Sequence, residues 1–239
     1  MPFELYKKII DEGSRKGLCS IKLNYRGEPF MYPHLIEAID YAKSRGIIDV
    51  MFNTNGLLLD LSNSYELIRS KLDRIIFSID DHRSEIYEKL RVGSDFSKVV
   101  NNIRNLMVMK LFHHSDTPII RIQKINRSPE FNQEYIDFFK PMADQIAIHE
   151  LLDYQVKETS EPMPDWCCAS LWQRMLILAN GTIAPCCGLN ADIVSLGNVK
   201  NTNIEWAWHD LHSYRDLHKR GESHLVPMCR SCPLRLHYL

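Results

Sequence analysis

The sequence lacks three features that would place it in a nucleic-acid-binding, membrane or exported class. Lysine and arginine total 29 against 30 aspartate and glutamate residues, so the formal net charge is −1. Without an excess of basic charge or a basic stretch, nothing favours a nucleic-acid partner or a membrane surface. The apolar runs are short, as at 175–179, and a membrane span needs roughly 20 residues. No basic and then apolar leader opens the chain, so we expect a cytoplasmic protein.

Cysteine is almost absent from the first two thirds of the chain and concentrated near its end. Only Cys19 precedes residue 167, and the other six cysteines lie in the last 73 residues. Because no export signal is present, metal ligation is favoured over disulfide bonds. Cys19, near the start of a predicted strand, is expected to be a packed core thiol rather than a nucleophile.

Four of the late cysteines form the pattern C-x12-G-x4-C-x42-C-x2-C, namely Cys168, Cys186, Cys229 and Cys232. The Asn180-Gly181 turn predicts a hairpin that returns Cys186 to the neighbourhood of Cys168. Four converging thiolates suit a tetrahedral zinc ion or a [4Fe–4S] cluster, and spacing alone does not separate these alternatives. The adjoining Cys167 and Cys187 are expected to be small buried side chains, with a swapped ligand as the alternative.

Helical and strand-like segments alternate over residues 1–153. Such alternation predicts parallel strands joined by right-handed crossovers, and five strands at this spacing suit an open or partial (β/α) barrel. Residues 154–165, with two prolines and several charges, are predicted to form a linker, and residues 166–239 a small cysteine-rich domain. Polar runs follow the first three predicted strands at 26–29, 53–56 and 78–81, where parallel folds bind their ligands.

The ordered runs Gly27-Glu28-Pro29, Thr54-Asn55-Gly56 and Ser78-Ile79-Asp80, followed by Arg91, resemble the radical S-adenosylmethionine (SAM) barrel. The cysteine pattern resembles the SPASM and twitch domains that follow many such barrels. The resemblance covers almost the whole chain. It implies a partial (β/α) barrel of the radical SAM type that lacks its first strand, with a C-terminal SPASM/twitch domain.

The resemblance assigns SAM-binding roles to seven residues. Gly27 and Glu28 would bind the methionyl amino group, although Arg26 stands where the family has a first glycine. Thr54 and Asn55 would lie near the methionine end of SAM. In the same way, the resemblance implies that Ser78 contacts the ribose of SAM and that Asp80 completes the S-x-D motif. It implies that Arg91 binds the SAM carboxylate, a task that suits a guanidinium group.

The resemblance also favours iron over zinc at the four late cysteines. It implies that Cys168, Cys186, Cys229 and Cys232 hold an auxiliary [4Fe–4S] cluster. The alternative is a non-catalytic, degenerate barrel with a structural zinc module. A weaker alternative, a barrel lyase or aldolase that uses Lys124 or Glu150, leaves the cysteine-rich segment unexplained.

One motif of the family does not occur in the sequence. No C-x3-C-x2-C run is present, although the SAM-cleaving cluster needs three cysteines and an open iron. No catalytic residue is therefore predicted, and we expect the chain to be a fragment of a longer enzyme. The parent is expected to cleave SAM reductively and to abstract a hydrogen atom from a peptide or small-metabolite substrate, with a flavodoxin or ferredoxin as electron donor.

Overall fold

The computed structural model describes residues 1–152, 160–188 and 194–236. Packing divides the chain into two compact units. One unit, called the sheet unit below, comprises residues 18–151. The other, called the cysteine unit, combines residues 1–17 with residues 152–239.

The sheet unit contains a five-stranded parallel sheet in which the strands follow chain order. The strands are β1 (Ser20–Lys22), β2 (Asp49–Thr54), β3 (Arg74–Ser78), β4 (Ile119–Asn126) and β5 (Gln145–Glu150). This arrangement confirms the predicted α/β class with parallel strands. Consecutive strands are neighbours, so the polar runs after β1, β2 and β3 emerge at the same edge of the sheet.

Five helices connect these strands, and they are α2 (Leu35–Ser44), α3 (Leu61–Arg69), α4 (Ser84–Leu90), α5 (Phe96–Phe112) and α6 (Asn132–Phe139). Helix α3 begins before its predicted start at Tyr65, because the Asp60 side chain accepts a hydrogen bond from Asn63 N at 2.7 Å and caps it. Helix α4 was not predicted from the sequence. The Asp60 cap thus sets the start of α3, whereas α4 begins without a side-chain cap and is short.

The core of the sheet unit lies on one face of the sheet. Val50, Phe52, Phe77, Ile120 and Ile122 alternate along β2, β3 and β4, and each has 0% exposure. Since side chains alternate between the faces of a strand, the intervening residues project from the other face, where most are only half-buried. The strands are therefore held from one side by apolar packing, while the other face carries polar groups such as Asn53 and Gln123.

The cysteine unit is built from short elements. They are α1 (Phe3–Arg15), α7 (Ser170–Gln173), β6 (Leu176–Ile177), β7 (Ile183–Ala184), α8 (Ile204–Asp210), α9 (His212–Lys219), α10 (Pro227–Arg230) and α11 (Pro233–Leu236). The predicted hairpin is present as the antiparallel pair β6–β7, shorter than expected. Asn203 caps α8 through Trp206 N at 2.7 Å, as predicted, but the predicted single helix is divided into α8 and α9 at Leu211.

Helix α1 packs within the cysteine unit. Its Ile9 belongs to an apolar cluster with Leu171, Ile183 and Leu211. Lys8 Nζ donates to the carbonyl of Val199. The sequence pattern predicts α1 as part of the barrel, because α1 is the first element of the helix–strand alternation. A local pattern carries no information about packing partners that lie more than 150 positions away in the chain. The limits of the predicted linker, residues 154–165, stay a prediction, because residues 153–159 lie outside the described part of the chain.

Within the described ranges, no helix is long and apolar enough to cross a membrane.

Candidate functional site

Glu28 joins the first two polar runs at the edge of the sheet. Its Oε1 accepts a hydrogen bond from Thr54 Oγ1 at 2.8 Å, and its Oε2 accepts one from Asn55 N at 2.8 Å. Oε1 also accepts from Phe30 N at 3.3 Å, which starts a short helical turn at 29–31. The structure thus brings three of the predicted site residues, Glu28, Thr54 and Asn55, into direct contact.

The turn after β2 is fixed by further hydrogen bonds. Thr54 Oγ1 accepts from Gly56 N and Asn55 Oδ1 accepts from Leu57 N, each at 2.9 Å. The buried Asn102 Nδ2 donates to Gly56 O at 2.9 Å. Gly56 has φ +78°, and a Cβ atom there would lie 3.0 Å from Phe77 Cδ1. Only glycine fits this backbone without strain and crowding.

Asp80 and Arg91 form a second pair at the same edge. Ser78 is the last residue of β3, and Asp80 follows two residues later. Asp80 Oδ2 accepts from Arg91 Nε at 2.8 Å, with both side chains half-buried. Arg91 directly follows α4, so that helix, unrecognised in the sequence, is what carries Arg91 back to the strand end.

The predicted Gly27 lies exposed between Arg26 and Glu28. Its φ is +81°, and nothing lies within 4 Å of the position of a Cβ atom. The left-handed backbone explains why a glycine is needed at this point of the run. The Arg26 side chain stacks on the Tyr25 ring, with 4.8 Å from the guanidinium carbon to the ring centroid.

Two charged groups to which the family resemblance gave no SAM-binding role, Asp81 and Lys124, lie beside the site. Asp81 is 4% exposed and accepts hydrogen bonds from Arg83 N, Nε and NH2 at 2.8–2.9 Å. Burial raises the pKa of Asp81, but the bonds from Arg83 outweigh burial and hold the pKa below its usual value. Lys124 is 3% exposed, with Nζ 4.8 Å from the centroid of the Tyr135 ring, and burial lowers its pKa. The acidic pair at 80–81 was the available signal for Asp81.

The cysteine unit contains one pocket lined by all four predicted ligands. Its lining includes Cys168, Cys186, Cys229 and Cys232, together with Trp166, His218 and Met228. Cys168 lies before α7, Cys186 follows β7, and the last two cysteines flank the end of α10. The structure therefore brings together thiols that are up to 64 positions apart, as 232 minus 168 gives.

The hairpin places Cys186 by a close backbone approach. Gly181 has φ +91°, and a Cβ atom there would lie 2.7 Å from Asn198 Oδ1. Gly181 N donates to Leu178 O at 2.8 Å and Val199 N donates to Gly181 O at 2.9 Å. This glycine is thus required both for its left-handed conformation and for the packing of the turn on the following segment.

The surroundings of the thiols affect their protonation. Burial raises the pKa of Cys186 to about 11, against a lowering contribution from the Gly188 N–H, which donates to Cys186 Sγ at 3.3 Å. Burial and then Cys232 raise the pKa of Cys229 further. Since metals and clusters bind thiolates, ligation at this pocket must release the thiol protons.

Either one zinc ion or a [4Fe–4S] cluster takes four thiolates, but the two groups require different spacings of the sulfur atoms. Among the residues that the structure describes, no three His, Cys, Asp or Glu side chains lie close enough to hold a single metal ion. A zinc ion with four thiolates at about 2.3 Å would need the sulfur atoms nearly in contact. A [4Fe–4S] cluster takes each thiolate on a separate iron, so its ligands lie farther apart.

Two buried polar side chains, His218 and Arg235, lie next to the pocket. His218 is 1% exposed, and burial followed by the charge of Arg235 lowers its pKa to about 4. Arg235 is 0% exposed and donates to Ser223 Oγ at 3.0 Å and to the carbonyl of Glu161. Neither was predicted, because nothing in the local sequence separates them from surface His and Arg residues.

The other three cysteines differ from expectation. Cys19, Cys167 and Cys187 are all exposed, so the prediction of packed or buried small thiols was wrong. In each of the two adjacent pairs, Cys167–Cys168 and Cys186–Cys187, one cysteine lines the pocket and the other is exposed.

Comparison with known proteins identifies both parts of the chain. The family model of the radical SAM superfamily matches residues 1–144, and the model of the SPASM iron–sulfur cluster-binding domain matches residues 167–233. A probable GTP 3′,8-cyclase of Methanococcus maripaludis is 32% identical over 104 residues, which are 44% of this chain and 34% of that protein. The chain spans about a third of the length of the first curated relatives it matches.

Solved structures share the fold over nearly the whole chain. SuiB of Streptococcus suis bound to S-adenosylmethionine has a TM-score of 0.71 at 16% identity, covering 93% of this chain and 61% of that one. Native anSMEcpe with bound AdoMet and Kp18Cys peptide has a TM-score of 0.69 at 16% identity, covering 92% and 75%. At this identity the likeness establishes the fold.

Proposed function

Because the chain belongs to the radical SAM superfamily and carries a SPASM domain, we propose that it is part of an enzyme that cleaves SAM reductively and abstracts a hydrogen atom from its substrate. The two domains imply [4Fe–4S] clusters and SAM as the cofactors. The observation that carries the proposal is the convergence of Cys168, Cys186, Cys229 and Cys232 on one pocket. These thiolates would hold the auxiliary cluster.

The edge of the sheet unit is the proposed SAM site. Glu28 keeps acceptor capacity for the methionyl amino group, since two carboxylate oxygens offer about four lone-pair sites. Asp80 binds Arg91 through Nε, an orientation that leaves the terminal nitrogens as the donors for the SAM carboxylate. Gly27, Thr54, Asn55 and Ser78 complete the proposed site.

SAM supplies a 5′-deoxyadenosyl radical when one electron cleaves its sulfonium, and the protein orients and shields that chemistry. The 239 residues contain no C-x3-C-x2-C run, so these residues do not fit the three-thiolate site that such cleavage requires. The roles proposed for this chain are therefore SAM positioning and ligation of the auxiliary cluster.

A peptide or a small metabolite is the proposed substrate class. Two of the structures that share the fold hold peptides, namely Kp18Cys in anSMEcpe and the precursor SuiA in SuiB. Curated relatives named GTP 3′,8-cyclase support a nucleotide as the small-metabolite candidate. A flavodoxin or ferredoxin is the proposed electron donor.

Metal analysis after anaerobic reconstitution tests the proposal. We expect about four irons and four sulfides per chain, with broad absorption near about 400 nm. A colourless protein containing one zinc ion would support the structural zinc module and overturn the cluster assignment. The Cys19→Ser variant is the matched control, because Cys19 is exposed and lies in the sheet unit.

A further inference from the structure

His218 contacts two of the proposed ligand residues through its two ring nitrogens. Nδ1 lies 3.3 Å from the backbone nitrogen of Cys168, which donates to it. Nε2 lies 3.5 Å from Cys229 Sγ, within hydrogen-bond range for sulfur. His218 therefore bridges two cysteines that line the same pocket but lie far apart in the sequence.

The hydrogen bond at Nδ1 determines which atom is the donor in the contact between Nε2 and Cys229 Sγ. A backbone N–H can only donate, so Nδ1 must be the unprotonated acceptor nitrogen of the ring. A neutral imidazole with an acceptor at Nδ1 has its proton on Nε2. That proton faces Cys229 Sγ, which makes His218 a donor to the sulfur.

Packing fixes the ring in this orientation. The Trp166 ring lies beside His218, with 5.5 Å between ring centroids. The segment before Trp166 crosses the end of α9 closely, because Met163 N donates to Gly221 O at 2.9 Å. A Cβ atom at Gly221 would lie 2.4 Å from Pro164 Cα. Any other residue at this crossing would force the two segments apart.

We propose that the Nε2–H of His218 donates a hydrogen bond to the Cys229 sulfur and thereby raises the reduction potential of the auxiliary cluster. The inference rests on the proposed function, since it requires the cluster in this pocket. Reduction adds one electron from an external reductant and places more negative charge on the ligand sulfurs, while the proton stays on Nε2. A donor aimed at a sulfur stabilises the reduced form more than the oxidised form.

Two neighbouring groups act in the same direction. Gly188 N donates to Cys186 Sγ at 3.3 Å. The Arg235 guanidinium is fully buried, and its charge acts favourably on the thiolates of Cys229 and Cys232. His218 is the member of this set that can be changed without altering the backbone or a buried charge.

The test is an EPR-monitored redox titration of the reconstituted full chain with dithionite as reductant. In His218→Leu, which removes the donor, we expect unchanged iron content and a reduction equilibrium constant at least tenfold lower, a shift of about 59 mV to a more negative potential. In His218→Gln, whose amide keeps a donor at a similar reach, the native potential is expected to be retained. His209→Gln, at an exposed histidine on α8, is the matched control.

Each other outcome contradicts the inference in a distinguishable way. An unchanged potential in His218→Leu would show that the contact does not influence the cluster. Iron loss in His218→Leu as severe as in Cys229→Ser, with no rescue in His218→Gln, would make His218 a ligand or a folding element. A native chain that takes up no iron would overturn the proposed function, and this inference with it.

Discussion

The carboxylate of Glu28 and the backbone amide of Asn55 meet at 2.8 Å across the ends of two neighbouring strands. Because the other carboxylate oxygen binds Thr54 Oγ1, one side chain connects the run after β1 with the run after β2. The proposed SAM site thus depends on Glu28 for its shape as well as for its charge. An acidic side chain in this position organises two loops before any ligand arrives.

We expect Glu28→Ala to lower the free energy of unfolding of the sheet unit by about 1–3 kcal/mol, since it leaves the Asn55 N–H and Thr54 hydroxyl without their acceptor. The measurement is the midpoint of urea unfolding. Glu85→Ala, at an exposed glutamate in the first turn of α4, is the control and should change stability by less than about 0.5 kcal/mol. Equal midpoints for both variants would contradict the role given to Glu28.

Gly56 and Gly93 offer a matched pair for the turn after β2. Both have a left-handed backbone, with φ +78° and +84°, but only Gly56 is crowded by Phe77 and Val99. Gly93→Ala should cost only the backbone strain of about 1–2 kcal/mol, and Gly56→Ala should cost more because overpacking adds to the strain. Thermal unfolding of the two variants checks the order. A smaller effect at Gly56 would rule out the tight turn.

Acid should destabilise the sheet unit through Asp81. Its pKa lies below the usual value when folded, and the unfolded value is about 3.9. The unfolded state therefore takes up the proton first as pH falls, so the stabilisation is present above about pH 4 and is lost through the folded pKa. Asp81→Asn should show a flatter loss of stability from pH 5 to pH 2 (about 3 pH units) than the native chain. Asp210→Asn, at an exposed aspartate, should follow the native curve.

Serine variants of the late cysteines test the ligand assignment. Substituting Cys168, Cys186, Cys229 or Cys232 should abolish stoichiometric iron after reconstitution, because each removes one thiolate from a four-thiolate site. Cys167→Ser and Cys187→Ser should retain the iron, since both side chains are exposed. If Cys167→Ser or Cys187→Ser lost the iron while the serine variant of the adjacent cysteine kept it, the exposed cysteine would be the ligand instead.

The sequence predicts the sheet well and the cysteine unit less well, for a physical reason. Alternation along β2 and β4 reports burial directly, the continuous apolar run of β3 marks a buried strand, and parallel topology then places the strand-end residues at one edge. The positions of α1 and His218 depend on contacts with residues about 50 or more positions away, which no local pattern encodes. Helix α4 has seven residues, too few to show an apolar stripe.

The sheet unit is inserted between the two segments of the cysteine unit, since residues 1–17 belong with residues 152–239. Helix α1 is therefore synthesised well before the hairpin and helices that cover Ile9. At about 5–20 residues per second, translation of the intervening stretch takes on the order of ten seconds or more. During that interval the apolar stripe of α1 lacks its native cover, and closing so long a loop is a slow, entropically costly step. Nascent chains should accordingly be most prone to aggregation just after the sheet is complete and before the last cysteines emerge.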